Sequence, residues 1–277
     1  MSSYERYRQK LLELDALIQA GLSISQKIEG RETPEWSQEI ASQIFVKILL
    51  HSISIQRILP TLRDNEAKYG GIFLDIASVS SLTRSVIDAN FVMYYFGIDD
   101  ISKEEHLFRK TIWDYHGEYK RLKGLELIGS KDERMTELKR IVDTALVDLK
   151  KNDIYLSLSS DKKKNIRKGN AAIYVSNTEL CLKIGISEAY YKSVFIFLSS
   201  YVHCYPFAIS QLSQYSKDME GGVHVVNTVL DYLIEFYCQS LKAITTIFPD
   251  AAVILAEHNK TIELWCGIHR KFKGVNA

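Results

Sequence analysis

Apolar residues recur at three- and four-residue intervals along nearly the whole chain, and that spacing predicts helices rather than strands. Between Tyr4 and Ala20 they fall at Tyr7, Leu11, Leu14 and Ile18, one face of an amphipathic helix. Gly21 weakens that helix, and the stretch Gly30 to Pro34 resets the chain. Thr33 with Pro34 reads as an N-cap and first-position proline for the next helix, which carries Ile40, Ile44 and Ile48 as far as Leu59. The central segment, Ile72 to Phe96, is apolar on nearly every face, and most of its polar residues are small. Only Asp75, Arg84, Asp88 and Asn90 interrupt it. A helix apolar all round belongs in the middle of a fold.

Ile101 to Leu127 and Lys131 to Lys150 read as two more highly charged helices joined at Gly129-Ser130. Ser157 to Tyr174 is the least regular part, with an exposed basic run from Asp161 to Gly169. Beyond it come a short helix to Lys183, a helix capped by Ser187 that ends near His203, and a short segment from Pro206. Gly221-Gly222 separates that segment from a helix over Val223 to Phe248, and Pro249 opens a last helix through Trp265 before the basic stretch His269 to Lys273.

Composition narrows the class. Glycine and proline are scarce, 14 and 4 in 277 residues, which disfavours the many tight turns of a β protein. No shift in composition marks a linker, so the expectation is one all-α bundle over residues 1–277, with 1–30 as an N-terminal arm. The net charge of +1 is low for a protein that coats nucleic acid. Four cysteines, widely spaced and never as C-x-x-C, suit thiols in a reducing cytosol better than a disulfide framework. The first residues carry no apolar signal region, and Lys192, His203 and Pro206 interrupt the most apolar stretch. A cytoplasmic protein without a membrane span is therefore expected.

Most catalytic signatures are missing. The run Gly124 to Lys131 has the glycine spacing of a phosphate loop, but Ser130 and Lys131 are in the wrong order and helices flank it. No histidine has a glutamate three residues before it, no Gly-x-Ser-x-Gly elbow occurs, and Cys266 with His269 has no second ligand pair. No cofactor and no metal are expected.

Three polar features remain. Arg84 stands in the apolar helix with Asp88 one turn on, and an ion pair that fixes helix register explains it sufficiently. Arg109 and His116, seven residues apart, can share one helix face. Such a pair could act as phosphate clamp and general base on a ribose 2′-hydroxyl, or could simply lie on a solvated face. His203, at the end of an apolar helix, suits a capping role.

Taken together, Asp75-x-x-Ser78, Leu82-x-Arg84-x-x-x-Asp88, Phe108-Arg109-x-x-x-Trp113 and Ser199-x-x-x-His203 resemble a loose group of bacterial all-helical proteins related at fold level to HEPN domains. The resemblance covers roughly residues 44–211 and implies an α-helical bundle with a place in phage-defence or stress modules. It also implies that Arg109 and His116 could form a HEPN-type metal-independent ribonuclease site at a dimer interface. Two positions depart from that pattern: Lys110 follows the arginine where Asn, Asp or His is usual, and Asp88 replaces Glu.

The leading expectation is a non-catalytic helical interaction or regulatory module with a protein partner or a second copy of itself. RNA is a further candidate partner, through basic residues such as Lys163, Lys164 and Arg167. The alternatives are the ribonuclease with Arg109 and His116, and a small-ligand sensor whose pocket near Arg84 and its neighbour Asp88 is lined by Arg84, Tyr94, Tyr95 and His203.

Overall fold

The computed structural model describes residues 1–33, 35–60, 74–215 and 218–268, and no strand occurs among them. Their contacts divide the chain into two compact units, Met1–Asp99 with Leu180–Ala277, and Asp100–Glu179. The all-α class holds in both.

The first unit is built around helix α3, Ile76–Gly97. Asp75 starts it by accepting a hydrogen bond from the Ser78 amide at 2.9 Å, so this acid, which interrupts the apolar pattern in sequence, is the N-cap. Three helices pack on α3: α2 (Trp36–Ile58), α9 (Glu188–Val202) and α11 (Met219–Ile247). Each large apolar side chain buried there contributes about 1.5–3 kcal/mol, and Val86, Phe91, Met93 and Phe96 are all sealed from solvent. The edge-to-face contact of Trp36 with Phe96 and the close approach of Gly97 to Ala41 run α2 antiparallel to α3.

Helix α1 (Ser3–Ile28), started by a Ser2–Glu5 capping box, continues straight through Gly21. That glycine is a packing device and not a break, because a Cβ there would overlap the Tyr237 hydroxyl of α11. A polar stripe on α11 fastens its neighbours. Lys10, buried, donates to the Asn227 carbonyl at 2.6 Å and pairs with Asp231, while Tyr190 donates to the buried Glu235.

Several expected boundaries move. Helix α2 is capped at Glu35 and not at Thr33, and no side chain makes the capping bond; Pro34 lies outside the described residues. Gly221 and Gly222 do not separate two helices. They sit inside the first turn of α11, where Asp218 accepts from the Gly221 amide at 3.0 Å. The last helix is split, a 3₁₀ stretch over Pro249–His258 followed by an α-helix over Asn259–Cys266, and the basic residues 269–273 lie outside the described residues.

The second unit pairs α4 (Lys103–Leu127) with α5 (Arg134–Lys151), and Gly129 adopts φ +65° at the turn, as a helix C-terminus requires. A one-turn helix, α6 (Asp153–Ser157), leads into the stretch expected to be irregular, and its basic run forms a short helix, α7 (Ser160–Arg167). Ser159 caps α7, and Ile166, its one buried side chain, anchors it; a further short helix, α8 (Asn177–Ile184), precedes α9 in the chain. A single apolar residue gives no period to read, so packing alone decides this helix. Among the described residues no single helix is long and apolar enough to cross a membrane, although α9 with α10 (Pro206–Tyr215), bent by 74°, meets the length and composition test together.

Candidate functional site

Helix α3 carries Arg84 on the face that meets α9, and the guanidinium carbon stands 4.2 Å from the centre of the Phe195 ring. The contact of Phe91 with Tyr191 at 4.9 Å sets the two helices antiparallel. One turn from Arg84 and Phe195 in that register come Ser80 and Ser199, both buried. On the other side, the charge of Lys47 on α2 reaches Asp88, and His51 lies one turn after Lys47 on the same helix.

Few hydrogen bonds are made in this seam. Arg84 Nε lies 3.8 Å from Asp88 Oδ2, too far for a hydrogen bond, and is buried without a partner among the described residues. The same is true of His51 Nε2, Ser80 Oγ, Thr83 Oγ1 and Ser199 Oγ. Helical hydroxyls usually bond back to the carbonyl four residues earlier, and Ser81 and Ser85 do so at 2.8 and 3.1 Å. Ser80 and Thr83, which flank Arg84, do not. The guanidinium is nonetheless reachable, with 23% of the Arg84 side chain exposed.

The charges in the seam are unbalanced. Arg84 and Lys47 face one carboxylate, Asp88, whose pKa is raised by desolvation, with Arg84 and then Lys47 pulling it down. Burial, with Lys47 nearby, lowers the pKa of His51 and favours its neutral form. The arrangement suits an incoming anion: a planar fork of donors on an aromatic face, with hydroxyls to either side.

Arg109 is placed quite differently. It is 1% exposed, and both Nε and Nη2 donate to Glu105 Oε1, at 3.1 and 2.6 Å. The Tyr174 hydroxyl donates to the same oxygen at 2.7 Å, and its ring packs 5.4 Å from Phe108. Burial, then the bond to Glu105, raises the Tyr174 pKa. His116, two turns along α4, is half-buried, with its pKa lowered first by burial and then by Lys120. The shared helix therefore does not bring the two side chains to one open site, because the guanidinium turns toward the N-terminus and into the unit's interior.

His203 caps α9 through its backbone amide, which donates to the Ser199 carbonyl at 3.2 Å. Its exposed ring lies 5.3 Å from Tyr205, about 12 Å of helix rise from Phe195. Lys163 donates to the Leu156 carbonyl at 2.6 Å, while Lys164 and Arg167 are exposed on α7. Sequence reasoning missed Lys47 and His51, which sit in an ordinary amphipathic helix. It also missed Phe195, because nothing in an apolar run says which ring will meet a cation. Among the described residues no group of three or more His, Cys, Asp or Glu side chains could hold a metal ion.

No curated protein and no solved structure matches the chain. Residues 38–221, about two-thirds of its length, match the family described as "Family of unknown function (DUF5677)". That span contains α3 and α9, so the Arg84 seam lies within the shared region. The chain belongs to the DUF5677 family.

Proposed function

We propose that the protein is a helical interaction module whose Arg84 seam receives an anionic side chain of a protein partner. The observation that carries this reading is the guanidinium itself, part-exposed and set against the Phe195 ring, yet without a hydrogen-bond acceptor among the described residues. A buried or half-buried polar group left unpaired is destabilising, and a partner that supplies the missing acceptor removes that penalty on binding. The surroundings favour a protein over RNA. Val46 and Leu50 are exposed beside Lys47 on α2, and Ile196 is 67% exposed beside Phe195 on α9. Such an apolar and basic rim fits a segment that presents an acidic or phosphorylated residue among apolar ones.

The direct test follows the Arg84 Nε–Hε resonance in ¹⁵N spectra, assigned by its loss in Arg84→Lys, during titration with acetate, phenyl phosphate and a short single-stranded RNA. A saturable shift with acetate or phenyl phosphate, lost in Arg84→Gln, is expected. A response to RNA alone would replace the protein partner with nucleic acid. No shift with any probe would sink the reading.

The second reading, a HEPN-like ribonuclease in a bacterial defence or stress module, rests on His116. Its lowered pKa keeps a half-buried imidazole neutral, as a general base needs. It is weaker because the Arg109 donors already bind Glu105. Cleavage of RNA without divalent metal, abolished in His116→Ala, is its test.

A further inference from the structure

Away from Arg84, within the first unit, a cleft of about 290 Å³ opens between α3 and α11. Asn90, Tyr94 and Ile98 line it from the α3 side, Gln239 and Thr246 from α11, and Ile184 closes one wall. That volume is at the small end for ligand sites and matches a single heterocycle rather than a nucleotide or a peptide.

The polar side chains of this cleft each have a partner, with one exception. The Asn90 amide nitrogen donates to Ser240 Oγ at 2.8 Å and to the Phe236 carbonyl at 3.3 Å. Thr246 donates to the Lys242 carbonyl at 3.0 Å, and Tyr94 to the Lys183 carbonyl at 3.3 Å. Lys242, at the rim, is neutralised by Glu263 at 2.7 Å. The exception is Gln239. Its Nε2 and Oε1 are both buried, and neither has a partner among the described residues.

A primary amide with both ends unpaired asks for a ligand with a matching edge, an acceptor for its N–H and a donor for its carbonyl. The engaged lysine provides no net charge for an ion, and Tyr94, Ile98 and Ile184 provide flat and apolar walls. We propose that this cleft binds a small, neutral, planar molecule that presents an N–H beside a carbonyl or ring nitrogen, the edge of a nucleobase, to Gln239. The site is independent of the Arg84 seam.

Saturation-transfer NMR on the full chain with uracil and adenine as probes, and with 1,3-dimethyluracil as the edge-blocked control, tests it. Uracil or adenine should bind at millimolar concentration or below, and the blocked compound at least about tenfold more weakly. Gln239→Leu should reduce binding by a similar factor, and Arg84→Gln should leave it unchanged. The leucine variant should melt at the same temperature as the parent or higher, since it removes an unpaired buried amide. If it fails to fold, Gln239→Glu keeps the size, removes the donors and should lose binding too. Failure of both bases to bind, equal binding of the blocked compound, or unaltered binding in a folded Gln239 variant overturns the proposal.

Discussion

Arg109 and Arg84 each have a carboxylate four residues away, but Glu105 precedes Arg109 whereas Asp88 follows Arg84. Helical side chains lean toward the N-terminus, so an acid placed before the arginine meets it, and the reverse order pairs less well. Asp is also one methylene shorter than Glu. The result is a doubly bonded, buried guanidinium in one unit and a loose contact of 3.8 Å in the other. The same residue type is thus a structural fastener in one place and a part-exposed group without an acceptor among the described residues in the other, and hydrogen-bond satisfaction tells the two apart.

The largest expected effect is on the fastener. Arg109→Met should destabilise its unit by about 3 kcal/mol, because it strands Glu105 beside Tyr174 without a cation. Hydrogen exchange across Lys103–Leu127 would register the loss. A change below about 1 kcal/mol would show that the pair is dispensable and would return Arg109 to the list of functional candidates.

Arg84→Gln should reverse that balance. Its stability should stay within about 1 kcal/mol of the parent in urea unfolding, as for a part-exposed pair of poor geometry. Affinity for phenyl phosphate should fall about tenfold or more, the scale of a lost charge-assisted hydrogen bond. Asp88→Asn should act in the opposite direction. Removing the competing carboxylate should raise anion affinity about fivefold, roughly 1 kcal/mol of repulsion at this separation, measurable in the same titration.

The smallest expected effect is on pH dependence. His51 has its pKa lowered in the folded state by burial, and then by Lys47 one turn before it on α2. A lowered histidine pKa means that its contribution to stability is complete above the unfolded value of about 6.5 and is lost as pH falls below it. Protonation in the seam would meanwhile strengthen anion binding. Between pH 7.5 and 5.5, stability should decline while phosphate-monoester affinity, corrected for ligand charge, rises. His51→Gln should flatten both slopes; unchanged slopes would place the titrating group elsewhere.

Much of the fold was legible along the chain. The three-four spacing at Tyr7, Leu14 and Ile18 gave α1, the all-round apolar character of residues 72–96 put α3 at the centre, and Ser187 starts the helix it precedes. Those features are local, and period and capping act within a turn or two of the residue that shows them. Gly21, Gly221 and the basic run at 161–168 misled for a complementary reason. Their helices are held by what packs against them, such as Tyr237 behind Gly21 and the buried Ile166 beneath α7.

The sequence by itself determined that this is an all-helical chain, and it singled out Arg84 and Arg109 as the arginines to explain. Only the tertiary structure decided what surrounds each of them. It brought Tyr174 to the acid beside Arg109, and Phe195, but no acceptor among the described residues, to Arg84. Whether a charge is satisfied depends on groups far away in the chain, and helix periodicity carries no information about them.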